Sequence, residues 1–219
     1  MAALSGVQNK IASKVSGYNR KRKYDVFEKV INVTPETTIL DVGYVDAECS
    51  ENDNYLEKHY PYRRNITALG ICEPKKFREN YPEIKTVVYD GNIFPFDDNS
   101  FDVVWSNAVL EHVGQRDKQS KFVSEMYRVS RKHVFMTTPN RKFPIEVHTR
   151  TPLLHYLSKK HFDSYLSFAG KKWATGDYMY LLTSKDIKGL LLENQINNYK
   201  IIKNYLFGFV LDFIIVMDK

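Results

Sequence analysis

His112 and His148, each beside a carboxylate, are the groups in this 219-residue chain best suited to proton chemistry. His112 follows the apolar run Phe101-Asp-Val-Val-Trp-Ser106 by a few residues, and Glu111 precedes it. An imidazole titrates near neutrality, so at such a place it can take a proton from a substrate hydroxyl or amine. The competing reading is a histidine that fixes a helix start through a backbone hydrogen bond. His148, near Glu146 and Arg150, is the second candidate base. His112, His148 and Glu146 can be drawn as a metal site, but they follow no ligand-spacing motif, so no metal is expected.

The elements that must hold these groups are short apolar runs alternating with helical stretches. Thr38-Ile-Leu-Asp-Val-Gly43, Asn65-Ile-Thr-Ala-Leu-Gly-Ile71, Lys85-Thr-Val-Val-Tyr89, Phe101–Ser106 and His133-Val-Phe-Met-Thr137 read as five buried strands. Between the last two, Phe122, Val123, Met126 and Val129 recur at helical spacing. Near-continuous apolar strands separated by helices imply a parallel sheet covered on both faces. The fold class is therefore α/β, a doubly wound, mostly parallel sheet. At the end of the chain, Tyr199-Lys-Ile-Ile202 and Asp212-Phe-Ile-Ile-Val-Met217 leave no room for a crossover helix, so they should form an antiparallel pair. We expect a single domain over 1–219, with a basic N-terminal helical arm (1–35) and an insertion or lid (140–176) after the fifth strand. That insertion has no strand pattern and should lie over the C-terminal edge of the sheet.

In open α/β sheets the ligand sits beyond the carboxyl ends of the strands. Those ends carry Asp41, Gly43 and Tyr44, then Cys72 and Glu73, then Asp90, Gly91 and Asn92, then Ser106 and Asn107. The dinucleotide fingerprint G-x-G-x-x-G is absent, which disfavours a nicotinamide-dependent oxidoreductase. Carboxylates after the second and third strands suit a nucleoside, one accepting ribose hydroxyls and the other an exocyclic amine. Negative surroundings also tolerate a sulfonium cation, as they would not tolerate a phosphate. Asp41 can instead accept loop amides, and Asp102 reads as structural.

At these residues the chain resembles the class I S-adenosylmethionine-dependent methyltransferases, in the branch called type 11. The resemblance is carried by Asp90-Gly-Asn-Ile-Phe-Pro-Phe-Asp-Asp-Asn-Ser-Phe-Asp102 and the following Val103-Val-Trp-Ser-Asn-Ala-Val-Leu-Glu-His-Val113. Ile39-Leu-Asp-Val-Gly43 resembles the opening of the family's first motif, and the likeness extends over about residues 38–138. It implies a Rossmann-like fold, S-adenosylmethionine as cofactor, and methyl transfer to a small-molecule, glycan or lipid-linked acceptor. It also implies that Asp41, Gly43, Tyr44, Cys72, Glu73, Asp90, Gly91, Asn92, Ser106 and Asn107 line the cofactor, with His112 or His148 as base. The chain departs from the family in two places. Only Gly43 remains of the usual Gly-x-Gly-x-Gly, and Cys72 stands where the acidic ribose ligand belongs, with Glu73 one position later. The rival reading is a non-catalytic binding or scaffold domain that kept the fold.

Composition sets the remaining bounds. Lys+Arg 32 against Asp+Glu 26 gives a net charge of +6. Lys10, Lys14 and Arg20 through Lys23 concentrate part of it in the arm, and Lys159, Lys160 and His161 another part in the insertion, beside aromatic residues. This favours an anionic acceptor, with peripheral contact to lipid headgroups as an alternative. Nucleic acid is disfavoured because no binding module appears. The longest apolar stretch, Tyr205 to Met217, contains Asp212 and falls short of the roughly 20 residues a spanning helix needs. With no signal-peptide pattern and only Cys49 and Cys72 as thiols, a cytoplasmic location is expected.

Overall fold

The computed structural model describes residues 2–219, with side chains from Ser13 onward. The chain divides into two compact units, Met1–Asp90 and Gly91–Lys219. The first contains α1 (Ala2–Val30), β1 (Ile39–Val42), α2 (Tyr55–His59), β2 (Ile66–Gly70), α3 (Lys75–Asn80) and β3 (Lys85–Val88). Its strands β1, β2 and β3 pair in parallel. Every residue of β1 and β2 is buried, as expected of parallel strands covered on both faces. β3, opened by Lys85, lies at the edge and is partly exposed. The basic arm forms α1, whose last turns bury Tyr24 and Phe27, with Ile31 beyond its end. Its charge is partly offset, since Lys21 pairs with Asp25 at 2.7 Å and Arg20 with Asp53 at 3.6 Å. The side chain of Lys10 lies outside the described residues.

The second unit contains β4 (Phe101–Asn107), α4 (Arg116–Val129), β5 (Ser130–Pro139), β6 (Ile145–Glu146), β7 (Thr151–Pro152), α5 (Lys159–Phe168), α6 (Ser184–Glu193), β8 (Tyr199–Leu206) and β9 (Phe209–Asp218). β4 and β5 are parallel, and β5–β9 and β9–β8 are antiparallel. The C-terminal hairpin turns at Phe207 and Gly208, with φ of 50° and 81°. Positive φ at both turn residues matches the twist of the flanking strands. The strand order is β3-β2-β1 in the first unit and β4-β5-β9-β8 in the second, a Rossmann-like arrangement with an antiparallel end. α4 buries Phe122, Val123, Met126 and Val129, the residues that recur at helical spacing. α6 begins with a reciprocal capping box between Thr183 and Asp186.

Residues 140–176 differ from the expectation in one respect: they hold the two-residue strands β6 and β7, antiparallel to one another. Strands this short show no alternation that a sequence can reveal. α5 packs Phe162 and Leu166 with Ala174 and Met179 into a small core of its own. No helix among the described residues is long and apolar enough to cross a membrane. The apolar run Tyr205 to Met217 is the end of β8, the hairpin turn and most of β9.

The first unit encloses a pair of buried carboxyl groups. Asp41 on β1 and Glu57 on α2 are both buried and hydrogen-bonded to one another. Burial raises the pKa of each, and the Glu57 charge raises Asp41 further, so Asp41 carries the shared proton. The unfolded chain releases that proton near 3.8, whereas the folded chain keeps it to higher pH. Folding therefore loses stability as pH rises from about 4 toward the raised native value. Asp41→Asn supplies the donor without a titrating proton. Thermal melts from about pH 4 to about pH 8 should show a higher Tm than wild type at the upper end and a flatter pH slope. Identical slopes would remove the shared proton from the account. In the second unit Phe135, fully buried on β5, stacks on Trp105 with centroids 4.8 Å apart. Phe135→Ala should cost about 3–5 kcal/mol in urea unfolding.

Candidate active site

β4 ends at Asn107, where Ala108 takes a left-handed φ of 58° and its N–H donates to the carbonyl of Thr137. That reversal starts a short 3-10 turn, Leu110–His112. The turn buries the whole side chain of Glu111 and leaves His112 half-buried. Glu111 Oε2 accepts a hydrogen bond from Thr138 Oγ1 at 2.9 Å, and its backbone carbonyl accepts from the Tyr180 N–H. Glu111 Oε1 is buried and has no hydrogen-bond partner.

His112 and His148 meet at this carboxylate. The Nε2 atoms of the two rings lie 3.1 Å apart. Those atoms are 3.9 Å (His112) and 3.7 Å (His148) from Glu111 Oε1. His112 Nδ1 donates to the Tyr178 carbonyl at 2.8 Å, since a carbonyl can only accept. His148 Nδ1 donates to Glu146 Oε1 at 2.7 Å, and Glu146 also accepts from the N–H and hydroxyl of Thr149. Burial alone would raise the Glu146 carboxyl, but these donors hold it down at about 2. Burial alone would lower His148, but Glu146 and the nearby Glu111 charge raise its pKa above the usual value. The segment just after the insertion is thus fastened to the turn after β4 at Tyr178 and Tyr180, with Gln119 Nε2 of α4 donating to the Tyr180 carbonyl at 3.0 Å. His112 and His148, more than thirty residues apart in sequence, form one cluster with Glu111 and Glu146.

The anticipated cofactor residues of the first unit lie at the ends of its strands. Gly43 is exposed at φ 102° directly after β1. The Tyr44 ring crosses to the end of β2, with its centroid 4.8 Å from that of Phe77. A Cβ at Gly70 would come within 2.5 Å of Tyr44 Cε1. Only glycine fits there without a shift. The Tyr44 hydroxyl donates to the Cys72 carbonyl, and burial and nearby negative groups push its pKa up to about 12. Cys72 and Glu73 are exposed, Glu73 pairing with Arg78 at 2.8 Å. Asp90 is exposed just past β3, and Asp41 is committed to Glu57. Asn54 ties down the loop after Gly43, accepting from the Val45 N–H and donating to its carbonyl.

In the second unit Gly91 (φ 82°) and Asn92 are exposed. Ser106 is fully buried inside β4, while Asn107 is half-buried and accepts from Thr137 Oγ1 at 2.8 Å. Sequence reasoning did not find Glu57, Thr138, Thr149 or Tyr178. Each acts on a site residue from a separate element, and none lies in a pattern of its own.

A sequence model of the family described as "Methyltransferase domain" matches residues 45–136. A glycine/sarcosine/dimethylglycine N-methyltransferase from Actinopolyspora halophila is 31% identical over 146 residues, 61% of this chain and 24% of the relative. A sarcosine/dimethylglycine N-methyltransferase from Aphanothece halophytica is 27% identical over 42% of this chain and 35% of its own length. The chain therefore spans no more than about a third of the curated relatives it matches. Among solved structures, the Burkholderia thailandensis 1,6-didemethyltoxoflavin-N1-methyltransferase shares the fold with a TM-score of 0.59 at 10% identity, over 100% of this chain and 85% of that one. A SAM-dependent methyltransferase from Aquifex aeolicus gives 0.58 at 12%, over 90% and 88%. The Asp90–Val113 motif overlaps the matched segment, so residues 45–136 are similar to the methyltransferase-domain family, and the solved structures show the fold of class I methyltransferases.

Proposed function

We propose that the chain transfers a methyl group from S-adenosylmethionine to a small acceptor that bears an amine or hydroxyl and an anionic group. The observation that carries this reading is the Glu111–His112–His148 cluster, standing directly after β4 within a domain of this fold. The residues fit the cofactor. Exposed carboxylates follow β2 and β3 at Glu73 and Asp90, the acceptors that ribose hydroxyls and an adenine amine require. Gly43 offers backbone without a side chain, and the Tyr44 ring and Cys72 backbone line the same strand ends. From the second unit, Gly91, Asn92, Ser106 and Asn107 are the residues assigned to the cofactor. When bound, S-adenosylmethionine supplies an activated methyl carbon that carries its own leaving group.

The chain then has to align the acceptor and keep water away. His112 and His148 are placed to receive the acceptor's proton. An anionic group of the acceptor suits the cavity of about 110 Å³ lined by Arg141, His155, Lys159 and Tyr180. Charge favours that match, because Arg141 faces this small space, with Lys159 beside it paired to Asp163 at 2.7 Å. The relatives named for glycine, sarcosine and dimethylglycine act on amines of this kind. A lipid-linked acceptor is the second reading, favoured by Phe168 and Trp173 of the insertion, 92% and 57% exposed.

Calorimetric titration with S-adenosylmethionine and S-adenosylhomocysteine should show binding of both. Asp90→Ala should weaken it by roughly 1–3 kcal/mol. Failure of either ligand to bind at millimolar concentration would overturn the reading in favour of a non-catalytic scaffold. With a labelled methyl donor, His112→Ala should lower kcat about 10²–10⁴-fold while cofactor affinity holds. Arg141→Ala should raise KM for carboxylate-bearing amines about tenfold or more, the loss of a charged hydrogen bond. An acceptor screen in which only lipid-linked substrates are methylated would select the second reading.

A further inference from the structure

The cluster after β4 also has the form of a metal site, which would use the same Nε2 atoms that could receive an acceptor's proton, so the two uses exclude one another. Glu111 Oε1, His112 Nε2 and His148 Nε2 all lie within 4.8 Å of one another. The carboxylate is fully buried, and Oε1 has no hydrogen-bond partner. Each imidazole has its outer nitrogen engaged, His112 Nδ1 on the Tyr178 carbonyl and His148 Nδ1 on Glu146. Both Nε2 atoms are thereby turned toward the same point. Metal-ligating histidines are oriented in this way, by a carbonyl or carboxylate on the far nitrogen.

Ligand atoms about 2.0–2.2 Å from one metal stand roughly 2.8–3.1 Å apart in octahedral and about 3.3–3.6 Å apart in tetrahedral geometry. The two nitrogens already meet the octahedral spacing at 3.1 Å. The carboxylate oxygen, at 3.7 and 3.9 Å, has to close by a few tenths of an ångström for the tetrahedral spacing and by more for the octahedral one. Glu111 and Glu146 together offset the charge of a dication. We propose that Glu111 Oε1, His112 Nε2 and His148 Nε2 bind one divalent first-row transition-metal ion.

Imidazole nitrogens select zinc, cobalt, nickel or iron(II) over magnesium or calcium. With three protein ligands, and with the histidine side chains 27% and 18% exposed, positions stay open on the metal for water or an acceptor donor atom. Binding needs only residues of Gly91–Lys219, so it stands whether or not the chain binds S-adenosylmethionine.

The test uses the full chain, stripped with a chelator and titrated with Co²⁺ in the absence of cofactor. Wild type should take up one equivalent and develop a ligand-field absorption spectrum, and Zn²⁺ should displace the cobalt. Glu111→Gln keeps an acceptor for Thr138 and should weaken binding by about tenfold or more. His148→Ala and His112→Ala should each abolish the spectrum, with thermal melts reporting whether each variant is folded. His161→Ala, at an exposed histidine of α5, should leave titration and spectrum unchanged. Equal cobalt affinity in wild type and Glu111→Gln would overturn the proposal. So would a signal that falls with His161→Ala, or the absence of stoichiometric binding.

Discussion

A carboxylate with no access to solvent is the constraint around which the second unit is organised. Glu111 stands one turn past β4, where a left-handed Ala108 redirects the chain inward. Taking its charge out of water is costly unless partners surround it. Thr138 on β5 meets one oxygen, and His112 and His148 approach the other. The backbone carbonyl of Glu111 receives the Tyr180 N–H, which brings the segment just after the insertion to the same place. One buried charge thus gathers the ends of two strands and the segment that carries the second histidine.

The first unit handles its buried carboxyl groups differently. Asp41 and Glu57 are hydrogen-bonded to each other out of water, so one of them keeps a proton. Two like charges at such a place repel, and sharing a proton is the less costly state. Asp41 therefore fixes β1 to α2, while Glu73 and Asp90 stand exposed at the strand ends, Glu73 paired with Arg78. The Tyr44 ring lies across Gly70, so a glycine of β2 makes room for the side chain that directly follows Gly43.

Charge is divided along the chain in a way that the net value conceals. Part of the +6 sits in α1, where Asp25 and Asp53 offset Lys21 and Arg20. In the second unit Asp163 likewise offsets Lys159, at 2.7 Å, beside a small cavity that Arg141 also lines. Electrostatic attraction at short range depends on such local placement, because exposed charges beyond about 10 Å are screened by salt.

The strands, the antiparallel tail, the Asp90–Val113 motif and the amphipathic face of α4 were all legible in the sequence. Each is a local pattern, set by period and by neighbouring residue types. Gly43, Glu73 and Asp90 could be placed at strand ends for the same reason. The union of His112 with His148 was not legible, because it depends on β6, β7 and the insertion folding back to the turn after β4. Neither was the partner of Asp41, which comes from a five-residue helix with no distinctive pattern. Sequence by itself determined which side chains stand at the carboxyl ends of the strands, since strand polarity and residue order suffice for that. Only the tertiary structure decided which of them are buried, which share a proton and which converge, because burial and electrostatic coupling are set by neighbours distant in the chain.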